Sequence, residues 1–522
     1  MEKHGTDRGL MRSIAAALIA ALVFVLVVFG PANIDPLNTD WVTTGGGDNL
    51  QHYLGWRFFR NAPWSKQFLF DQELNYPVGT SVIVTDSNPL LCLVFKLFRG
   101  VLPAQFQFNG IWILSCYLLT ALFAVLILWH LTRRPLICVL GAMLAVLNPV
   151  ILQRALIHDN LCAHWLILAA VWLYLNRGQY VKNAVGWAVL VLLTLLIHFY
   201  FLPMIAFILA LQMLRMILDR EPFLRVFAPL LTFAIAFAAG YYAFGYRYVN
   251  GQSGSFGELS MNLNAFINPD GASSILGNRP TLPLQYEGFN YFGLGMLALC
   301  LVGIILGGKR LKKFAFALLP CAALVLLAAS NEGWFDLTQL WNIELPEALS
   351  SLLSVFRSSG RLVWPIYYLC LFASLRLIRG EGERRRTAEI VIVGLCLMLQ
   401  VVDLSGFIGE CQTRFHSAPG GLSAYAEPYA DDIPAEKTKL FVTDGDTKTV
   451  DALALLAADR GLTFNRAANA RGIVNIYHAD PVDMDALTCV ELDPDAAYIY
   501  LDGVPDSLRS CAEVSGSVVY LK

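Results

Sequence analysis

The chain has 522 residues, of which 56% are hydrophobic and 15% charged, and its mean hydropathy is +0.55. This balance is too apolar for a soluble protein of that length and is typical of a multi-pass membrane protein. The net charge of −2 and the pI near 6.5 give no indication of a nucleic-acid partner.

The N-terminal part predicts a first membrane helix that is retained. Three basic residues within positions 3–12 precede the apolar run 13–30, which is long enough to cross a bilayer core. A signal peptide has a shorter apolar region and a small-residue cleavage site, and no such site precedes Pro31. We therefore predict that the chain starts in the cytoplasm.

Ten further apolar segments make eleven predicted spans. Of the 38 Lys and Arg residues, 19 fall in the N-terminal segment and in the loops on the same side of the membrane as the N-terminus. Only five fall in the short loops on the opposite side of the membrane. Basic residues concentrate in cytoplasmic loops, so the C-terminus is predicted to be periplasmic or extracellular. The segments lie at about 109–131, 135–152, 161–176, 182–198, 200–217, 226–246, 290–307, 313–329, 361–379 and 387–404.

The first outer loop, at about 32–108, is the longest connection between spans. It carries Asp40, a run of three glycines at 45–47, and Asp48 soon after the first span. Consecutive glycines let the main chain approach a ligand closely. Near its end the loop has an apolar run, 90–102, that is too short to span and predicts an interfacial helix.

A helix can begin at Asp48. Helical spacing then places Asp48, His52 and Trp56 on one face, which combines a carboxylate, an imidazole and a flat aromatic ring. Such a surface suits a sugar. The alternative is that Asp48 only caps the helix, with Gln51 completing a capping box.

The second outer loop sets Arg154, His158 and Asp159 at helical spacing, with His164 beyond them. Ionisable groups at a membrane boundary cost free energy unless they are paired or used, so these residues are candidates for substrate binding. The alternative is an Arg154–Asp159 ion pair or solvated loop ends. His and carboxylate ligands are compatible with a divalent cation. No spacing matches a known closed metal site, however, and we predict no specific cofactor.

Two later outer loops add further candidates for substrate binding. Tyr286 and Glu287 lie in the loop at about 247–290, and Arg357 and Arg361 close the loop at about 330–360. Arginine forks match phosphate oxygens, so we predict that these two arginines hold a lipid phosphate. The alternative is that they only snorkel at the membrane surface.

The composition changes after the last span. Residues 405–522 contain 18 acidic and nine basic residues. Strand-like runs at 439–442, 497–501 and 517–521, with a helical run at 450–459, predict a small soluble α/β domain. An oxidising exterior would allow a bridge between its Cys489 and Cys511.

Together these features resemble the GT-C superfamily of membrane glycosyltransferases, in a bacterial branch. The resemblance covers about residues 1–404 and implies a mainly α, polytopic domain there, followed by the outer α/β domain 405–522, in the bacterial inner (plasma) membrane. It rests on the cytoplasmic start, the acids in a long first outer loop, the interfacial helix and the basic residues of later outer loops. The stretches that carry it are Gly46-Gly47-Asp48, Asn88-Pro89, Gln285-Tyr286-Glu287-Gly288 and 357–361.

The resemblance implies transfer of a sugar from a polyprenyl-phosphate donor to a glycan, lipid or protein acceptor on the outer face. This chemistry needs a carboxylate that deprotonates the acceptor hydroxyl and cations that stabilise the departing phosphate. Asp48 is the predicted base and Asp40 the reserve, since both match the family's first-loop acid. The Asp-Asp or Asp-Glu dyad of some members is absent.

The alternative function is that of a transporter or flippase of a lipid-linked or envelope polysaccharide. Transporters tend to carry ionisable groups in the middle of spans and internal repeats, and the sequence shows neither. It also has no GxxxxGK[ST] loop, no dinucleotide fingerprint and no HExxH. These absences argue against a nucleotide-driven pump and a zinc protease.

Overall fold

The computed structural model describes residues 2–44, 47–250, 254–380, 382–416 and 421–521. The described part is mainly helical and divides into two compact units. Unit 1 comprises the described residues of 1–31, 112–240 and 252–416, and unit 2 those of 32–111, 241–251 and 417–522. The helices are α1 (Glu2–Phe29), α2 (Pro31–Ile34), α3 (Asp40–Thr43), α4 (Asp48–Asn61), α5 (Pro89–Leu97), α6 (Asn109–Thr132), α7 (Pro135–Val146), α8 (Pro149–Ile157), α9 (Trp165–Leu175), α10 (Tyr180–Ile197), α11 (Phe201–Leu218), α12 (Phe223–Ala243), α13 (Leu294–Gly307), α14 (Ala315–Ala329), α15 (Glu347–Ser354), α16 (Pro365–Ile378), α17 (Glu383–Asp403), α18 (Ser405–His416), α19 (Glu427–Ala430), α20 (Thr447–Arg460) and α21 (Asp506–Arg509). The strands are β1 (Phe70–Asp71), β2 (Thr80–Ser81), β3 (Val249–Asn250), β4 (Glu332–Phe335), β5 (Thr338–Asn342), β6 (Lys439–Val442), β7 (Thr463–Phe464), β8 (Gly472–Ile473), β9 (Ala496–Ile499), β10 (Glu513–Ser515) and β11 (Val518–Tyr520).

The chain is a multi-pass membrane protein. Within the described ranges, seven helical segments are long and apolar enough to cross a membrane, and nine if each of two bent helix pairs is one span. The predicted number of eleven is not reached on this basis, because α9 is short and α13 and α14 count as one segment. The seven segments are Arg8–Phe29, Asn109–Thr132, Tyr180–Ile197, Phe201–Leu218, Phe223–Ala243, Leu294–Ala329 and Ser359–Ile378, and the bent pairs are α7 with α8 and α17 with α18.

Helices α13 and α14 lie on opposite sides of a reversal in the chain. Gly308 breaks the helix with a φ of 48°, which a residue with a side chain rarely adopts. Arg310 Nη1 donates to Arg379 O just beyond the end of α16, at 2.8 Å. At the other end of α16, Ser359 Oγ donates to Ala328 O at 3.0 Å. The two helices therefore correspond to the separate predicted segments 290–307 and 313–329.

The break between α7 and α8 starts the helix that carries Arg154. Asn148 Oδ1 accepts a hydrogen bond from Val150 N at 2.9 Å, and Pro149 occupies the first helical position. Asn is a favourable N-cap because its side-chain oxygen accepts a hydrogen bond from a backbone N–H that has no partner within the helix. Pro is favourable at the first helical position because it has no backbone N–H to leave unpaired. The two helices are bent by 42° at this point.

Unit 2 contains a five-stranded mixed sheet in the order β10-β11-β9-β6-β7. β6 pairs in parallel with β7 and β9, whereas β11 is antiparallel to β9 and β10. Helix α20 begins where Asp446 Oδ2 accepts from Thr449 N and ends at Gly461 with a φ of 71°. The predicted strands at 439–442, 497–501 and 517–521 correspond to β6, β9 and β11.

The first loop and the C-terminal region share one hydrophobic core within unit 2. Leu50, Leu54 and Phe58 of α4 pack in the same cluster as the β6 and α20 side chains. Arg57 Nη2 forms an ion pair with Asp459 Oδ1 at 2.8 Å, and Leu74 forms a parallel bridge with Phe464. The division predicted at residue 404 placed these loop residues with the membrane helices instead.

Cys489 and Cys511 form a disulfide in unit 2. This is the bridge that the sequence allowed. The other nine cysteines are free, and most of them are buried, as expected for cysteine acting as a small hydrophobic residue.

Candidate functional site

The two candidate bases each begin a helix in unit 2. Asp40 is the first residue of α3 and Asp48 the first residue of α4, and both are exposed. The predicted helix start at Asp48 is confirmed. The capping alternative is wrong, because Gly47 occupies the N-cap with a φ of 77° and no side chain makes the cap bond. Gly45 and Gly46 lie outside the described residues.

The rest of the predicted Asp48 face is buried. His52 is 2% exposed and Trp56 is entirely buried. Trp56 Nε1 donates to Phe106 O at 3.0 Å, and the indole packs against Phe95 and Phe108. The predicted aromatic wall is therefore part of the core of unit 2 rather than a surface beside Asp48.

His52 is close to another carboxylate of the same unit. Ligand atoms of His52 and Asp86 lie within 4.8 Å of one another. A divalent cation accepts imidazole and carboxylate ligands, so this pair offers part of a ligand set within unit 2. The sequence left a divalent cation open, and no cation is assigned to this pair.

Unit 1 contains a buried cluster of two arginines and one glutamate. Arg154 Nη1 lies 2.9 Å from Glu287 Oε2. Arg361 contacts both oxygens of the same carboxylate, with Nη2 at 2.8 Å from Oε1 and Nε at 2.9 Å from Oε2. Arg154 is thus paired with Glu287, not with Asp159 as the alternative interpretation of the second outer loop proposed.

Two glycines allow the cluster to form. Glu287 lies in a 3₁₀ helix at Pro283–Gly288 and Arg361 in another at Ser359–Val363. A Cβ on Gly360 would lie 2.7 Å from the Cα of Gly288, closer than such atoms can approach. Asn290 Nδ2 donates to both Gly288 O and Gly360 O at 2.9 Å. The two turns therefore approach closely enough for the carboxylate to meet the guanidinium.

Charge governs the protonation state of Glu287. Burial alone would raise the pKa of this carboxyl, but the Arg154 and Arg361 guanidiniums, together with His158, hold the pKa well below its usual range. Glu287 is therefore ionised at neutral pH. Two arginines and one carboxylate leave a net charge of +1, which disfavours a cation and favours an anion.

Aromatic rings surround the two arginines. Arg154 Cζ lies 5.7 Å from the Trp364 ring, and Arg361 Cζ lies 4.9 Å from the Tyr200 ring. His164 stacks on Trp364 with ring centroids 4.6 Å apart, and its Nδ1 is 2.9 Å from the hydroxyl of Tyr368. The structure thus brings Arg154, His164, Glu287 and Arg361 together.

The remaining predicted residues lie around this cluster or apart from it. His158 is buried with its ring edge-on to His198, at 5.2 Å between centroids. Asp159 is buried and its carbonyl accepts from Trp112 Nε1 at 3.1 Å. Tyr286 is half exposed, although Glu287 beside it is buried, and Arg357 is half-buried.

Residues 17–405 match the family described as a domain of unknown function, DUF6311. The chain belongs to the DUF6311 family. No curated protein matches it.

Among solved structures, this DUF6311 chain is similar to the oligosaccharyltransferase of Archaeoglobus fulgidus, crystallised as a complex with Zn and sulfate. The TM-score is 0.40 and the sequence identity 13%. The similarity covers 86% of this chain but only 62% of that one. At these values the likeness assigns neither a substrate nor a residue role.

Four residues at the cluster of this DUF6311 chain were not predicted as candidates: His198, Tyr200, Trp364 and Tyr368. One signal was present in the sequence. His198 and Tyr200 occupy the tight connection between α10 and α11, where polar groups interrupt two apolar segments. Trp364 and Tyr368 follow Arg361 by three and seven residues, which is helical spacing, but aromatic residues at such positions are more often packing residues.

Proposed function

We propose that this protein is an integral-membrane glycosyltransferase of GT-C type. In this proposal it moves a sugar from a polyprenyl-phosphate donor to a glycan, lipid or protein acceptor on the outer face of the membrane. The observation that carries the proposal is the buried Arg154–Glu287–Arg361 cluster with its net charge of +1. A phosphodiester carries one negative charge, and its binding would neutralise a charge that is costly to bury alone.

The reaction exchanges one bond at the anomeric carbon of the sugar. Asp48, with Asp40 in reserve, takes the proton of the acceptor hydroxyl, whose oxygen forms the new bond. The bond from the anomeric carbon to the phosphate oxygen breaks with its electron pair. The polyprenyl phosphate leaves with two negative charges instead of one.

The arginines stabilise this leaving group. Arg361 and Arg154 supply the net charge of +1 through the cluster, and the half-buried Arg357 adds another positive charge four residues before Arg361. Because the phosphate gains charge as the bond breaks, donors fixed in advance stabilise the transition state more than the bound donor. Glu287 is a positioning residue in this scheme, because it orients both guanidiniums.

The proposed membrane placement has the N-terminus in the cytoplasm and residues 421–521 outside, in the bacterial inner (plasma) membrane. The asymmetry of basic residues supports this orientation. The Cys489–Cys511 disulfide also supports it, because such bridges persist in oxidising compartments.

Deletion of the gene, followed by mass spectrometry of surface glycans and lipid-linked intermediates, tests the proposal. If the protein is a glycosyltransferase, the deletion strain should lack one sugar of the surface glycan and accumulate the polyprenyl phosphate that carries that sugar. Accumulation of a complete lipid-linked glycan would instead indicate the transporter or flippase. Unchanged glycans and intermediates would contradict both functions.

A further inference from the structure

The segment that connects α14 to the helix pair beginning at Ser359 exposes a large apolar surface. It forms the β4–β5 hairpin and then the amphipathic helix α15. Exposed apolar patches of this kind usually mark interaction sites. The exposed side chains, 38% to 67% accessible, are Phe335, Leu337, Leu340, Ile343, Leu349 and Leu352.

Two adjacent residues of the hairpin, Leu340 and Trp341, differ in their surroundings. Gly333 pairs with Trp341 across the strands, and the Trp341 indole occupies the space that a Gly333 side chain would need. Trp341 Nε1 also donates to Ser330 O at 3.2 Å. Leu340, next to Trp341, is the unpaired residue at an irregularity in the strand pairing and is 54% exposed. Trp341 thus packs on the hairpin, whereas Leu340 beside it is uncovered.

The tip of the hairpin is held firmly. Asp336 pairs with Arg279 and accepts a hydrogen bond from Asn264 Nδ2 at 2.7 Å. Its backbone N donates to Asn262 Oδ1 at 3.0 Å. Leu337, the next residue, is 59% exposed. Its exposure is therefore fixed by a network of polar contacts and is not that of a loose loop.

The chain connectivity keeps this surface close to the membrane. Only residues 330 and 331 separate the end of α14 from β4. At about 3.5 Å per residue, the base of the hairpin lies within roughly 11 Å of the end of an apolar membrane helix. At its other end, the segment continues directly into the span Ser359–Ile378.

We propose that the surface formed by residues 332–352 rests in the lipid leaflet into which α14 emerges, at the boundary between headgroups and acyl chains. The segment 330–358 has four acidic residues and one arginine, so electrostatic attraction to anionic lipid does not hold it there. The apolar side chains hold the segment in the leaflet by burying their surface away from water. This proposal is independent of any sugar transfer.

The test uses the full chain in phosphatidylcholine nanodiscs. A nitroxide is coupled to a genetically encoded ketone amino acid in place of Leu337, which avoids labelling the nine free cysteines. A second label replaces Leu352, so that loss of one variant leaves the other. The reference label replaces Glu436, which is exposed in unit 2. Collision with oxygen, which concentrates in lipid, is compared with collision with a water-soluble nickel chelate.

Leaflet contact predicts at least a several-fold higher ratio of oxygen to nickel collisions at positions 337 and 352 than at 436. The ratio should be the same in 50 mM and 500 mM salt, because no charge attraction is involved. Nickel collisions at 337 and 352 equal to those at 436 would overturn the proposal. Protection from both reagents would also overturn it, since it would indicate that a second copy of the chain covers the surface.

Discussion

Replacement of Glu287 by Gln removes the negative charge of the buried cluster and keeps its shape. Arg154 and Arg361 would then face a neutral acceptor while both remain charged, because arginine does not deprotonate in proteins. The side chains of Arg154, Glu287 and Arg361 are 0%, 10% and 9% exposed. Breaking a buried ion pair costs about 3–5 kcal/mol, compared with about 0–1 kcal/mol for an exposed pair.

We therefore expect Glu287→Gln to lower the free energy of unfolding by about 3–5 kcal/mol. The assay is denaturant unfolding in detergent micelles, followed by tryptophan fluorescence at pH 7. Glu344→Gln is the matched control, because Glu344 is exposed, and it should change stability by less than about 0.5 kcal/mol. A decrease in the free energy of unfolding of less than about 1 kcal/mol in Glu287→Gln would refute the buried cluster, because only solvent-screened ion pairs contribute so little to stability.

The same variant makes a prediction about pH. The pKa of Glu287 is held well below its usual range by the two arginines after allowance for burial, which acts in the opposite direction. A depressed folded-state pKa gives stability that is present above the unfolded value of about 4.3 and lost as the pH falls below it. Wild type should therefore lose stability in acid more steeply than Glu287→Gln. Parallel profiles would contradict the assignment.

Three further predictions concern topology, the donor site and unit 2. Reporter fusions after Arg134 and Lys522 should report the cytoplasm and the exterior, and a cytoplasmic Lys522 fusion would overturn the outer-face assignment. Arg357→Ala should weaken donor binding by about 1.5–3 kcal/mol, the value of one charge-assisted contact. Unchanged donor affinity in a binding titration would leave only the interpretation that Arg357 snorkels at the membrane surface. Burial raises the pKa of Asp71 to about 7, so wild type should lose up to about 1.4 kcal/mol of stability per unit as the pH rises from 4 to 7. Asp71→Asn should abolish that slope in the same unfolding assay, and an unchanged slope would place its origin elsewhere.

Local patterns in the sequence predicted local structure well. The helix start at Asp48 follows from a polar residue before amphipathic spacing, and β6, β9 and β11 follow from short runs rich in β-branched and aromatic residues. The apolar segments likewise predicted membrane helices, because length and hydropathy are properties of single segments.

Contacts between distant residues could not be predicted in the same way. Glu287 lies 133 positions after Arg154, and no local pattern connects them. The pair depends on the close approach of Gly288 and Gly360, which is visible only when both turns are placed. Trp56 was expected beside Asp48 because helical spacing aligns them, but spacing does not reveal which part of a helix face is covered by the rest of the fold.

In the proposed reaction a first-loop carboxylate acts as the base in sugar transfer. The most direct measurement compares surface glycans, by mass spectrometry, in cells that lack the chromosomal copy and express either wild type or Asp48→Asn at equal levels. A general base contributes about 10²–10⁴-fold in rate, so wild type should restore the missing sugar while Asp48→Asn should not. Full restoration by Asp48→Asn would contradict Asp48 as the base, and Asp40→Asn would then test the reserve carboxylate in the same cells.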